Sequence, residues 1–101
     1  MVTSAIVDMN KRSNSIEMNK YETVAKIYKY HGNRSFHHYY FEYFYRGKKY
    51  QDYKNIDLGS REKSIGKYYK LNLSTINPQY SKILLDQEII DTSEIRNAGF
   101  E

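Results

Sequence analysis

Apolar and polar residues alternate with a period of two along much of this chain, which is typical of half-buried β-strands. The clearest case is the segment 36–53, FHHYYFEYFYRGKKYQDY, which holds nine of the sixteen aromatic residues around one glycine. We predict that it forms a β-hairpin with a two-residue turn at Arg46-Gly47, in which Gly47 takes a positive φ. The odd-numbered side chains from Tyr39 onward then form a core face, and the even-numbered ones form an outer face.

The two-residue turn also predicts the register of this hairpin, because it determines which residues lie opposite each other. Two aromatic cross-strand pairs follow, one on each face. Asp52 falls opposite Phe41 on the core face, where a carboxylate fits badly, and we expect the pairing to fray or bulge there. The aromatic pairs are Tyr43 with Tyr50 on the core face and Tyr40 with Tyr53 on the outer face.

Three further strands are predicted on either side of the hairpin. The first is 21–30 (YETVAKIYKY), with Thr23, Ala25 and Ile27 on one face and Val24, Tyr28 and Tyr30 on the other. The second is 68–73, with Tyr69, Leu71 and Leu73 facing inward. The third is Lys82 to Ile90 (KILLDQEII), for which a helix is the alternative because its apolar residues also fit a helical stripe.

The two ends of the chain carry weaker patterns. Residues 1–20 are interpreted as a flexible or weakly helical leader, with Met18 facing inward if a helix forms. The tail has a capping-box pattern at Thr92-Ser93-Glu94, which predicts a short terminal helix. The fold prediction is therefore mostly all-β: one domain at 21–101, with about five strands in a small antiparallel sheet curled into a half-barrel or sandwich.

The amino-acid composition limits the kinds of core, covalent chemistry and partner that this chain can have. A chain of 101 residues has room for one modest core, and 12 of its residues are Tyr, which places polar hydroxyls at the edges of that core. It has no Cys, which excludes disulfides and thiolate chemistry. The net charge of +4 is compatible with an acidic partner without requiring one.

Location is predicted only conditionally. No run approaches the roughly 18 apolar residues of a transmembrane segment. The first residues also lack the basic start and apolar stretch of a secretory signal. We therefore expect a cytoplasmic protein as the chain is written, or an envelope or periplasmic protein if a native leader was removed.

No catalytic or metal site is predicted. His37 and His38 are adjacent in a strand and point to opposite faces, so they cannot grip one metal ion together. Asp86 and Glu88 are better explained as a charged sheet edge that deters aggregation. There is no nucleophile elbow and no phosphate-binding glycine loop. We expect no enzyme activity and no cofactor.

The outer face of the hairpin is the candidate binding surface. Exposed tyrosines beside an arginine are typical of the residues that dominate protein–protein interfaces. Aromatics interleaved with basic residues on a small sheet are also typical of single-stranded nucleic-acid binders, so that alternative stays open. The candidate partner-binding residues are His38, Tyr40, Phe44, Arg46 and Tyr53.

Residues 21–90 resemble small β-domains of uncharacterised bacterial proteins. That group has an opening strand, a "Y-x-Y-x-x-x-G-K-x-Y" hairpin and a later "G-x-x-Y-x-V-x-Y-x-x-x-N-P" segment. The resemblance implies a β fold, no assigned catalytic residues and, for many members, attachment to a membrane segment or lipoprotein leader. The matching residues here are Gly47, Lys48 and Tyr50 in the hairpin, and Gly66, Tyr69, Asn77 and Pro78 in the later segment.

The leading functional hypothesis is a small, non-enzymatic protein-interaction module of bacterial origin. An immunity or inhibitor protein, or an accessory protein of the envelope, would suit its size. The alternatives are a single-stranded nucleic-acid-binding β-barrel protein and a small-molecule-binding domain. The sequence leaves the identity of the partner and the oligomeric state open.

Overall fold

The computed structural model describes residues 15–33, 36–56 and 64–100. This part of the chain is mostly β, as predicted. Five strands form one antiparallel sheet in the order β3-β2-β1-β4-β5, and a short helix follows the last strand. The elements are β1 (Lys20–Gly32), β2 (His37–Tyr45), β3 (Lys48–Asn55), β4 (Tyr68–Ser74), β5 (Ser81–Ile89) and helix α1 (Thr92–Asn97).

The central hairpin is β2–β3, and its predicted register is confirmed. Tyr43 lies opposite Tyr50 and Tyr40 opposite Tyr53. The turn residues Arg46 and Gly47 have φ of 53° and 77°. Positive φ at both central positions is the type I′ geometry, whose twist matches that of the flanking strands.

The expected irregularity at Asp52 is wrong. Phe41 and Asp52 are regular partners, and the pairing continues to His38 and Asn55. Asp52 is only half-buried, and its Oδ1 accepts a hydrogen bond of 2.8 Å from the backbone N–H of Tyr53. Because the carboxylate has a hydrogen-bond donor at the edge of the sheet, the regular pairing of β2 with β3 leaves it satisfied.

The irregularity lies instead in β1. Ile27 pairs with Phe41 and Lys29 with Tyr40, which leaves Tyr28 as an extra residue in a β-bulge. A bulge shifts the alternation of side chains by one position. Tyr30 therefore packs against the core beside Tyr39, on the same face as Ala25 and Ile27 and not on the opposite face that period two predicts.

The core occupies one face of the sheet. It is built from Ala25 and Ile27 of β1 and from the positions predicted to face inward on β2 and β4, joined by Ile83 of β5. Tyr43 is fully buried, and its hydroxyl donates a hydrogen bond of 2.8 Å to the carbonyl of Pro78. The core residues are Ala25, Ile27, Tyr39, Phe41, Tyr43, Tyr69, Leu71, Leu73 and Ile83.

The sheet curls around this core without closing. The β4–β5 connection reaches β3, where Gln79 Nε2 donates a hydrogen bond of 3.1 Å to the carbonyl of Gln51. The two edge strands β3 and β5 are not neighbours in the hydrogen-bonded strand order. The segment predicted as either strand or helix at Lys82–Ile90 is a strand.

Both chain ends add short helical pieces. Residues 15–18 form one helical turn, in which Ile16 is buried and Met18 is 82% exposed, so the inward-facing Met18 is a wrong prediction. Residues 1–14 of the predicted leader lie outside the described residues. The C-terminal helix forms as predicted, but its cap is Asp91, whose Oδ1 accepts a hydrogen bond of 2.9 Å from the backbone N–H of Ser93.

Candidate protein-interaction surface

The outer face of the β2–β3 hairpin carries a contiguous group of rings at its β1–β2 end. We call this group the aromatic patch. Cross-strand pairing places Tyr40 beside Tyr53, and period two places His38 on the same face. The patch consists of Phe36, His38, Tyr40 and Tyr53.

The rings of the patch are in direct contact. The ring centroids of Phe36 and His38 lie 4.5 Å apart, and those of His38 and Tyr53 lie 4.8 Å apart. Tyr40 and Tyr53 are separated by 5.9 Å. Such distances are those of favourable aromatic pairs, so the rings hold each other in place before any partner binds.

The patch remains accessible. The side chains of Tyr53 and Phe36 are 54% and 39% exposed, and those of His38 and Tyr40 are half-buried. The ring contacts made by these side chains in the described part of the chain come from the sheet itself and the β1–β2 connection. An exposed aromatic cluster on a rigid sheet is the kind of surface that usually marks an interaction site.

Phe44, the fourth candidate on this face, has a different environment. Its ring lies 5.1 Å from that of Phe100, which also contacts Tyr68 at 5.2 Å. Phe100 is buried by this packing, and Val24 is buried on the same outer face. The C-terminal segment thus covers this half of the outer face, and Phe44 is a packing residue and not a free contact residue.

Arg46 is also separate from the patch. It occupies the β2–β3 turn, where its guanidinium lies 5.5 Å from the ring centroid of Tyr45. The rise along a strand places this turn roughly 20 Å from Tyr40. The structure therefore brings together three of the five candidate residues: His38, Tyr40 and Tyr53.

Lysines outnumber carboxylates near the patch, but one carboxylate lies among them. Lys29 Nζ lies 5.3 Å from the ring centroid of Tyr40. Glu42, next along the outer face of β2, pairs with Lys49 across the hairpin at 3.3 Å. Burial raises the pKa of the Tyr28 hydroxyl, and the negative charge of Glu42 raises it further. A carboxylate thus accompanies the cations on this face.

Two residues of this surface did not emerge from the sequence as candidates. Phe36 belongs to the patch from the position just before β2, and Tyr28 borders the patch at the bulge, with its ring 6.5 Å from that of Tyr40. Phe36 shares the even parity of His38 and Tyr40, which was a usable signal. The alternation of side chains does not show the bulge in β1, so it does not predict that the ring of Tyr28 lies beside Tyr40.

The adjacent histidines of β2 lie on opposite faces of the sheet. His37 Nδ1 lies 2.6 Å from the hydroxyl oxygen of Tyr30, while His38 packs in the patch on the opposite face. Among residues 15–33, 36–56 and 64–100, no three His, Asp or Glu side chains are grouped in a way that would hold a metal ion. No helix in the same ranges is long and apolar enough to cross a membrane.

Comparison with known proteins adds no relative. No protein-family model, curated protein or solved structure matches this chain.

Proposed function

We propose that this chain is a non-catalytic protein-interaction module that binds a partner protein through the aromatic patch. The observation that carries the proposal is the exposure of contacting rings on a rigid sheet face, while neighbouring outer-face rings are covered by the C-terminal segment. Tyrosine and other aromatic side chains bury large areas at little entropic cost, which is why they dominate interface energetics.

The carboxylate of Glu42 among the lysines of this face favours a protein over a single-stranded nucleic acid. Nucleic-acid binders place several unpaired cations beside their stacking rings, so that each phosphate is neutralised. Here Lys29 lies at a ring of the patch, but Lys49 is engaged by Glu42. A phosphate backbone crossing this face would meet that carboxylate.

The biological setting remains open between two proposals. An immunity or inhibitor protein that caps a toxin needs only a rigid recognition surface, and so does an accessory protein of the bacterial envelope. The resemblance to small bacterial β-domains supports the second setting. The genes beside this one would separate the two proposals, because a neighbouring toxin gene supports the first and an envelope operon supports the second.

The proposal is tested by affinity capture from a lysate of the source organism. Wild-type protein is compared with the double variant Phe36→Ser/Tyr40→Ser, which removes two rings of the patch. The matched control is Tyr21→Ser/Ile90→Ser, which removes two exposed apolar side chains elsewhere. We expect a partner protein that is retained by wild type and control and lost from the patch variant; equal retention by all three would overturn the proposal.

A second arm tests the nucleic-acid alternative. A fluorescently labelled single-stranded oligonucleotide is titrated with the protein at low salt, where phosphate contacts are strongest. Under the proposal, anisotropy stays flat or changes equally for wild type and the patch variant. Salt-sensitive binding that disappears in the patch variant would assign the patch to nucleic acid and contradict the proposal.

A further inference from the structure

The two edge strands of the sheet run in the same direction. Four antiparallel pairings separate β3 from β5 along the strand order, and each pairing reverses direction once. Four reversals leave β3 and β5 parallel to each other. A single strand inserted between them would therefore be antiparallel to both, and it would complete an antiparallel barrel of six strands.

A side-chain hydrogen bond joins the β4–β5 connection to β3, and a cleft lies between the two edges beyond it. Gln79, two residues before β5, donates its side-chain hydrogen bond to the carbonyl of Gln51 on β3. Two residues further along both strands, the edges are separated by a cleft with a volume of about 530 Å³. The cleft is lined by Phe41 of β2, by Tyr53, Lys54 and Asn55 of β3, and by Ser81, Lys82 and Ile83 of β5.

The cleft combines an apolar floor with one unpartnered polar atom. Phe41 and Ile83 are almost completely buried core residues. Ser81 is 9% exposed, and its buried Oγ has no hydrogen-bond partner within the described ranges. A buried hydroxyl without a partner is costly. This hydroxyl is closed off from water, so the contacts that the cleft offers to a ligand are its apolar floor and its two strand edges.

The cleft is also basic on both walls. Lys54 stands on the β3 side and Lys82 on the β5 side. Edge strands present a row of backbone N–H and C=O groups that pair readily with an added strand. Two such edges, an apolar floor and flanking ammonium groups together describe a receptor for an extended segment with carboxylate side chains.

We infer that this cleft binds an extended acidic segment of a partner protein, which adds as a sixth strand between β3 and β5. Its backbone pairs with both edges, its inward side chains rest on Phe41 and Ile83, and its carboxylates meet Lys54 and Lys82. The edge strand β3 of a second copy fits less well, because it carries three lysines and one aspartate. This site does not depend on the aromatic patch, although Tyr53 borders both.

The test starts from a phage-displayed library of random linear twelve-residue peptides, selected on the full chain. We expect the selected peptides to carry Asp or Glu beside alternating apolar residues. A synthetic consensus peptide should bind the variant Lys54→Glu/Lys82→Glu at least about tenfold more weakly, since charge-assisted contacts contribute on the order of 1.5 kcal/mol or more. The matched control Lys29→Glu/Lys67→Glu reverses two exposed lysines away from the cleft and should stay within about twofold of wild type.

Backbone N-methylation of the peptide separates strand insertion from other binding modes. Alternate residues of an inserted strand donate their N–H groups to β3 and to β5, so N-methylation at either of two consecutive central positions should abolish binding. Loss at only one of the two positions would indicate pairing with one edge and would overturn the inference. Binding that is insensitive to both methylations would overturn it as well.

Amide hydrogen exchange locates the peptide on the protein. We expect new protection at 53–55 and 81–83, and the patch variant Phe36→Ser/Tyr40→Ser should bind the peptide as wild type does. Protection confined to the aromatic patch, no selected peptide, or a dimer that uses these same edges would contradict the inference. A failure here leaves the capture experiment for the aromatic patch unaffected, because the two tests change different residues.

Discussion

The two halves of the outer sheet face carry similar side chains and have opposite environments. At the β1–β2 end, His38 and Tyr40 belong to a patch whose rim residues Phe36 and Tyr53 are exposed. Toward the turn of the same strand, Phe44 lies under Phe100. We call these regions the open half and the covered half. An aromatic residue on this face is therefore a packing residue where the C-terminal segment covers it, and a surface residue where that segment does not.

This difference has an energetic meaning. In the covered half, the ring of Phe100 buries apolar area that would otherwise face water, which stabilises the fold by about 1.5–3 kcal/mol for a fully buried side chain. In the open half, the corresponding area is left exposed in the isolated chain. A partner protein could gain that burial energy by covering the exposed rings. The proposed function follows from this exposed apolar area.

The largest expected effect is on the stability of the covered half. Phe100→Ala removes a buried ring and should lower the free energy of unfolding by about 3 kcal/mol, in the range of buried Phe-to-Ala changes. Phe36→Ala, in the open half, should cost less than about 1 kcal/mol because its ring is partly exposed. Urea unfolding of both variants measures the difference; equal losses would remove the distinction between the halves.

Substitution of Gly99 should lower the stability nearly as much, because the backbone conformation of Gly99 places Phe100 against Phe44. Its φ is 110°, and a Cβ placed there would lie 2.9 Å from three atoms of the Phe44 side chain. Gly99→Ala should therefore cost about 2 kcal/mol through backbone strain and the clash.

The matched control for Gly99 is Gly47→Ala in the hairpin turn. Gly47 also has a positive φ, but a Cβ there meets no atom within 4 Å. The control should be less destabilising than Gly99→Ala, since it pays for strain alone. If thermal or urea unfolding gives equal losses, the contact with Phe44 does not shape the covered half.

A smaller change of stability is expected at Arg46, which belongs to neither half. Arg46 holds a φ of 53°, a region that Asn adopts more easily than Arg. Arg46→Asn should therefore raise the free energy of unfolding by up to about 0.5 kcal/mol and leave partner capture unchanged. Loss of the partner in this variant would place Arg46 in the binding surface after all.

The smallest expected effect is a change in how the free energy of unfolding depends on pH, caused by Tyr28 beside the open half. Burial and the charge of Glu42 raise the pKa of Tyr28 above its ordinary value of 10.0. The folded chain therefore keeps this proton at a pH where the unfolded chain loses it, so stability is complete below about pH 10 and falls as the pH rises past that value. Tyr28→Phe removes this contribution, and its unfolding free energy should decline less steeply between pH 9 and 11 than that of wild type.

Most of the fold follows from local patterns in the sequence. A glycine after Arg46 and period-two alternation were enough to predict the turn and the register of the central hairpin, including the pair Tyr43 with Tyr50. These features depend on neighbours within about ten residues, which is the range at which turn chemistry and alternation operate.

The wrong predictions concern positions whose environment is set by residues far away in the chain. The bulge at Tyr28 turns Tyr30 toward the core, and no local pattern marks it. Phe44 was assigned to the binding surface because the residue that covers it, Phe100, lies more than fifty positions later. The cleft between β3 and β5 depends on how far the sheet curls, which alternation does not describe.

The most direct test of the proposed interaction is site-specific photocrosslinking in the source organism. A photoreactive phenylalanine analogue replaces Phe36 in the open half or, as the control, Tyr21, which is exposed and contacts Tyr45 near the covered half. We expect one protein to be crosslinked in good yield from position 36 and not from position 21. Nucleic-acid adducts at position 36, or the same products from both positions, would contradict this expectation.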